Sequence, residues 1–415
     1  MAAGGINVLV GSTFWFGLTV YFNPIRQTFG WTAAITSVVA SIGRFGTNIF
    51  GPIVGFTADK IGPRKVMVLG CAVIGLGFVL ASRIQSLSAF YLTFVMVAAG
   101  VGLASMLVMD VAIAHWFSKK RSRALSIIYI GNGVGGLLVV LLALLVDSFG
   151  WRVTLTLVGT AFWVIGIPLS LLIRHKPDPY GYLCDGETVA EDRKLVMGQG
   201  SHSATEKKGH SSVSLAADFT VREAMKTRAF WLLTAVALFQ QVGTASVMLH
   251  IVPYLVSIKF SPNIAAAVVS GMSLFGLTSG RMGIGFLGDF INKRYLITVS
   301  MACLVVGLVL LSFVEVNKVW IIILFILTYA TGDGGIAPLR PGVQADLFGA
   351  KNFGAIMGVI GLLGMLGGLI GPIVAGWAFD VMGSYRVVWR IFALIMLPAV
   401  PLMLFAKPPK LERKS

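Results

Sequence analysis

Gly55-Phe56-Thr57-Ala58-Asp59-Lys60-Ile61-Gly62-Pro63-Arg64 closes one long apolar run of this chain. Gly285-Phe286-Leu287-Gly288-Asp289-Phe290-Ile291-Asn292-Lys293-Arg294, beginning 230 residues later, closes another. Each reads as a small-residue helix end, then an acid, then a cationic turn. A segment repeated at that distance in a chain of 415 residues splits it into two similar halves.

Working outward, the composition says where the halves reside. The chain is 56% hydrophobic and 12% charged, whereas a soluble domain carries about 25% charged residues. A mean hydropathy of +0.86 cannot be hidden in a water-soluble core, so the lipid bilayer is the expected surrounding. The net charge of +16 does not point to nucleic acid, because the cations sit in short loops between apolar runs, where they set topology. Cys71 and Cys303 fall in apolar runs and Cys184 in a polar stretch, with no disulfide framework or metal-ligand spacing. The N-terminus predicts no cleavable leader.

Apolar stretches able to span about 30 Å at about 1.5 Å per residue can be placed twelve times. They run near 5–24, 32–57, 65–83, 88–113, 123–147 and 152–173, then near 229–257, 263–288, 295–314, 318–346, 352–379 and 386–406. The fold expected is an all-α membrane protein of twelve transmembrane helices in two pseudo-symmetric six-helix bundles, residues 1–173 and 229–415. Between them, 174–228 carries Pro177-Asp178-Pro179, Gly and Ser clusters and dispersed charge, and reads as a polar linker with room for a short surface helix. Lys60, Arg64, Lys65, the run Lys119 to Arg123, Lys293, Arg294, the linker and the tail from Lys407 all fall on one side. The positive-inside rule makes that side cytoplasmic, with both termini inside and the plasma membrane as the expected location.

The repeat extends beyond its opening copies. Gly131 to Gly136 resembles Gly361 to Gly368, and Asp147 with Gly150-Trp151-Arg152 resembles Asp380 with Gly383-Ser384-Tyr385-Arg386. Glycine, 49 residues in all, lets helix backbones approach closely in lipid, and in helices five and eleven offers faces on which two bundles could slide. An internal repeat of membrane-length helices is the mark of a secondary transporter, in which two similar halves rock about a central site.

Gly-x-x-x-Asp-Lys-x-Gly-x-Arg between helices two and three resembles the signature loop of the major facilitator superfamily, and Asp289 marks its degenerate second copy. Arg281-x-x-x-Gly285-Phe286-x-x-Asp289, His250-Ile251-Val252-Pro253-Tyr254, and Ala345-Asp346-Leu347-Phe348-Gly349 with Asn352-Phe353-Gly354 resemble the branch of monocarboxylate porters and oxalate/formate antiporters. The resemblance implies small carboxylate substrates, an Arg281 that binds the carboxylate, and gating contacts at Asp59, Arg64 and Asp289. The chain departs from that branch at three points, one being the missing aromatic-rich entry motif that animal porters carry before helix one. Leu277 stands where animal porters carry an acid, and no cation lies between Lys351 and Arg386, where oxalate exchangers carry a lysine.

Read by depth, Arg44 lies roughly 20 Å from either helix end, too deep to snorkel, so it either pairs internally or faces substrate. Arg281 lies roughly 12 Å from its helix end; its planar fork suits bidentate binding of a carboxylate. Asp333, in Tyr329-Ala330-Thr331-Gly332-Asp333-Gly334-Gly335, is mid-depth, and is either a proton carrier or a permanent partner of Arg44, Arg281 or Arg340. Arg340, between Pro338 and Pro341, and its rough counterpart Asp110 read as an inner-gate pair. Tyr21, Asn23, Asn132, Gln240 and Gln241 are candidate cavity residues, and His250 is either an interfacial hydrogen-bonding group or a proton sensor.

The polar segments hold no nucleophile-base set, metal-spaced His or Cys, or phosphate loop, which argues against a membrane enzyme and ATP-driven transport. The two-half repeat argues against a channel. A nutrient sensor on a carrier fold would call for a larger cytoplasmic extension. The expectation is a secondary carrier of small organic anions, a proton-coupled monocarboxylate carrier ahead of an oxalate/formate-type exchanger. Its partners are a small carboxylate, protons or a counter-anion, and the lipid bilayer, with no cofactor, metal or nucleic acid. It is expected to work as a monomer.

Overall fold

The computed structural model describes residues 2–15, 17–31, 50–177, 182, 184–186, 218–406 and 409. In its described residues each expected span is met by helix. In the first half these are α1 (2–15 and 18–29), the end of α2 (Gly51–Ile61), α3 (Pro63–Ala81), α4 (Leu87–Trp116), α5 (121–149) and α6 (151–172). In the second they are α7 (Arg228–Ser257), α8 (262–287), α9 (Lys293–Ser312), α10 (Val319–Phe348), α11 (Phe353–Met382) and α12 (Tyr385–Phe405). Among the described residues eight helical stretches are long and apolar enough to cross a membrane, or nine with α1, which bends by 41°; one of the eight, 121–172, comprises both α5 and α6.

The turns repeat as the sequence does. α5 gives way to α6 at Gly150 (φ 77°) and α11 to α12 at Gly383 (φ 66°), left-handed positions that an L side chain rarely adopts. Just past these turns, Arg152 donates to the carbonyl of Ile84 (3.5 Å) and Arg386 to that of Val314 (3.4 Å), so each half closes its last hairpin onto the preceding one in the same way.

Each half has its own core. Phe78, Phe90, Phe94 and Phe162 lie in the first, and Phe230, Tyr254, Phe325 and Trp389 in the second. Large apolar side chains such as Val140, Leu144, Ile373 and Trp377 point outward, as helices facing lipid require. The halves meet through α2, α4, α5, α8, α10 and α11.

Parts of the linker dock on both halves. Asp185 accepts from the backbone N–H groups of Ser118, Lys119 and Lys120 where α5 begins. Phe219 donates its N–H to the carbonyl of Phe348 (3.1 Å), and Asn352 returns a bond to the carbonyl of Phe219 (2.8 Å). The expected surface helix is the short turn Val221–Met225, closed by a Thr220–Glu223 capping box. The face that carries the linker contacts and the loops at 62, 117–120, 288–292 and 349–352 is the linker face below.

Candidate functional site: a central arginine above a closed linker face

The two acids of the repeated segment do the same work in opposite halves. Asp59, at the end of α2, accepts from the N–H groups of Gly354 (3.0 Å) and Ala355 (2.8 Å) in the first turn of α11. Asp289, past the end of α8, accepts from the N–H groups of Ser122 (2.8 Å) and Arg123 (3.3 Å) in the first turn of α5. The first N–H groups of a helix have no partner within it and carry the positive end of its dipole, so a carboxylate from the other half satisfies both needs. Asp59 lies past the apolar span, and burial in this contact pushes its carboxyl up to about 6 against the opposing pull of its two backbone bonds.

Small residues let these helices close. A Cβ on Gly55 would come 2.0 Å from the carbonyl oxygen of Gly354, and one on Gly358 would come 2.5 Å from that of Gly51. On the other pair, Gly285 meets Ser126 and Gly288 meets Ser122. Two ion pairs join the halves at the same level: Arg121 to Asp346 (2.8 Å) and Arg123 to Asp289 (3.2 Å). Asp346 also takes Lys293 at 2.6 Å, and Arg121 binds the carbonyls of Ala114 and Phe117 that end α4. The conformation is therefore closed on the linker face.

Arg281 sits away from this closure, on a stretch of α8 wound in wide π turns from Gly276 to Ile284. Widened turns of this kind are frequent at functional sites. α10 has a similar stretch, Ile326–Ala330, just before Asp333. α8 and α10 cross where a Cβ on Gly280 would come 2.6 Å from the Cα of Gly334, and one on Gly334 2.2 Å from the carbonyl of Gly276. This crossing brings Arg281 and Asp333 into mutual electrostatic reach without a direct ion pair. Gln240 of α7 donates weakly to Asp333 (3.4 Å). The Nε of Arg281 is buried with no hydrogen-bond partner among the described residues. Its Nη1 faces the other half, 3.2 Å from where a Cβ on Gly133 of α5 would stand.

The remaining candidate residues distribute as follows. Asp110 is fully buried and accepts from the hydroxyl of Tyr129 (2.9 Å); Arg340 acts on it only through its charge, so the expected direct Asp110–Arg340 pair is not formed. Tyr21 packs in the first core with its ring 6.3 Å from that of Phe78, and its hydroxyl is buried with no hydrogen-bond partner among the described residues. Gln241 accepts from Thr244 (3.3 Å). His250 is held between the Tyr385 hydroxyl (3.1 Å) and the Pro372 carbonyl (3.0 Å). A carbonyl only accepts, so Nε2 carries the proton and Nδ1 accepts from Tyr385 when the ring is neutral. Arg64 is exposed at the start of α3. Arg44 and the side chains of Asn23 and Asn132 lie outside the described residues.

The model of the Major Facilitator Superfamily matches residues 4–339 and 251–415, together nearly the whole chain. The chain belongs to the Major Facilitator Superfamily. Like other members it is a transporter embedded in the membrane and not an enzyme. Among relatives, this superfamily chain is 24% identical to monocarboxylate transporter 12 of Mus musculus, over 96% of its own length and 82% of the relative's. It is 25% identical to the oxalate:formate antiporter of Oxalobacter formigenes, over 87% and 82%. The crystal structure of the transporter FucP in the outward conformation superimposes with a TM-score of 0.69 at 14% identity, covering 98% of both chains. The human organic anion transporter MFSD10 gives 0.66 at 16% identity, covering 97% of both.

Three residues of this site escaped the sequence analysis in their roles. Arg121 stands in a cationic run that topology alone explains. Asp346 was visible only as part of a motif. Tyr129 is a neutral hydroxyl, which gives no depth signal of the kind a charge does.

Proposed function

We propose that this chain is a secondary carrier of small monocarboxylates, coupled to protons and working by alternating access. The observation that carries the reading is Arg281: a half-buried residue on a glycine-loosened helix, its buried Nε without a partner among the described residues, its Nη1 aimed across the interface at the other half. A buried cation without a direct partner is costly unless a ligand supplies the countercharge. A carboxylate matches its fork in charge and shape. The names of the relatives, monocarboxylate transporter and oxalate:formate antiporter, favour the same substrate class.

Asp333 is the proton site in this reading. When it is charged it competes with substrate for Arg281; when it takes a proton, Arg281 is released to bind the substrate anion. Asp59 and Asp289 hold the halves together on the linker face, and residues 1–173 and 229–415 are the units that rock. That face is cytoplasmic, with both termini inside the plasma membrane, because the cations gather there. His250 is a reserve proton site, limited by bonds at both ring nitrogens. An exchanger of dicarboxylates is the second reading, favoured by Arg340, whose charge also reaches Asp333 and provides a second cation.

The test is transport by Arg281→Ala and Arg281→Lys protein at matched expression. Both are expected to lose most uptake, with apparent affinity falling by roughly 30-fold or more, as for loss of one partner of a buried charge pair. Lysine keeps the charge without the fork, so its failure assigns the role to geometry. Near-normal uptake by Arg281→Ala protein would contradict the reading.

A further inference from the structure

We infer that Tyr129 is a substrate-binding residue: its hydroxyl is the first half's hydrogen-bond donor to the anion held by Arg281, and Asp110 keeps that hydroxyl in place while the site is empty. The inference rests on the carboxylate-binding role of Arg281 and adds to it the matching group from the opposite half.

A carboxylate has about four lone-pair positions, and the arginine fork fills two. In a site closed from water the others need donors, since an unmatched buried acceptor is costly. Arg281 reaches across the interface to α5 at Gly133, where the missing side chain leaves room for its guanidinium. Tyr129 is four residues earlier on α5, one helical turn away on the same face. From its own half, Asp333 acts on Arg281 through its charge. Asp333 when charged repels an anion, while a phenol hydroxyl can donate to one. Among the described side chains of α5, Tyr129 thus has the chemistry to complete the site.

Its present bond explains how the donor is held ready. Tyr129 gives its single proton to Oδ2 of Asp110 across the α4–α5 contact, and Oδ1 of Asp110 has no partner among the described residues. Among the described residues, Asp110 is bonded by Tyr129 and feels the charge of Arg340 from α10 of the other half. When a substrate carboxylate arrives at Arg281, the hydroxyl turns from Oδ2 to the substrate, and Arg340 is the charge left to steady Asp110. Substrate then touches both halves at once, as alternating access requires.

The experiment measures initial-rate uptake of pyruvate, L-lactate and oxalate into proteoliposomes by wild-type, Tyr129→Phe, Asp110→Asn and Arg281→Lys protein. Tyr129→Phe keeps the ring packing and removes only the donor. Its KM is expected to rise about tenfold or more for the acid that wild type carries best, with kcat changed little. In Asp110→Asn the amide oxygen still accepts from the hydroxyl, whereas in Asp110→Ala nothing on α4 holds it, so KM should rise more in Asp110→Ala than in Asp110→Asn. If Tyr129→Phe keeps the wild-type KM while Arg281→Lys loses transport, Tyr129 is a packing residue and the inference falls, though Arg281 keeps its role. If Arg281→Lys also transports normally, or wild type carries none of the three acids, the carboxylate reading falls and this inference with it. Thermal unfolding of each variant excludes a folding defect: a lowered Tm with unchanged KM for Tyr129→Phe also counts against the inference.

Discussion

Asp333 shows how one side chain can join two duties. It lies beside the glycines that let α8 and α10 cross, within electrostatic reach of Arg281 and bonded weakly by Gln240. Asp333→Asn is expected to abolish pH-driven accumulation but to retain substrate exchange, because exchange need not move the proton. Accumulation against a gradient with unchanged pH dependence would make Asp333 structural. Arg281 and Asp333 were legible in the sequence because a charge at membrane depth demands an explanation. Tyr129 was not, because an aromatic in a membrane helix usually packs or anchors, and its proximity to Asp110 depends on how α4 and α5 pair.

Between elements, the closure of α2 on α11 rests on backbone contact as much as on charge. Gly55→Ala would drive a methyl into the carbonyl of Gly354, which cannot move aside. Overpacking of about 1–3 kcal/mol shifts a two-state balance about 5- to 150-fold, so this variant is expected to stay open on the linker face and lose most transport. Cross-linking between α2 and α11 would read the loss of closure. Asp59 adds a pH dependence to the same contact. Its carboxyl titrates near 6 when the face is closed, above the ordinary value near 4 that solvent restores on opening. The closed state thus holds the proton more tightly, and lowering the pH through 6 on that face favours closure. Spin labels at Lys60→Cys and Lys351→Cys, with Cys71, Cys184 and Cys303 replaced, should show more of the short distance at pH 5.5 than at 7.5. Asp59→Asn should flatten that response; a response that survives in Asp59→Asn would assign it elsewhere. The sequence announced both acids by their shared place in the repeat, but not what they would grasp, since the start of α11 and the start of α5 are remote in the chain.

For the whole molecule, the repeat carried most of what could be known in advance. Twelve spans, two bundles and the glycine turns at Gly150 and Gly383 follow from apolar length and punctuation, which a bilayer enforces more strictly than water does. The ion pairs that join the halves were less legible: Arg121 and Asp346 come together only because α5 and α10 meet on the linker face. A molecule built this way should move its substrate through one central site that opens to either side in turn. The most direct measurement is accumulation of labelled pyruvate and L-lactate in proteoliposomes containing only this protein, with the interior alkaline relative to the outside and again with the gradient collapsed. Concentrative uptake that follows the gradient and is lost in Arg281→Lys protein is the predicted result. No carboxylate uptake under either condition, or uptake indifferent to Arg281, would contradict a monocarboxylate carrier built around that arginine.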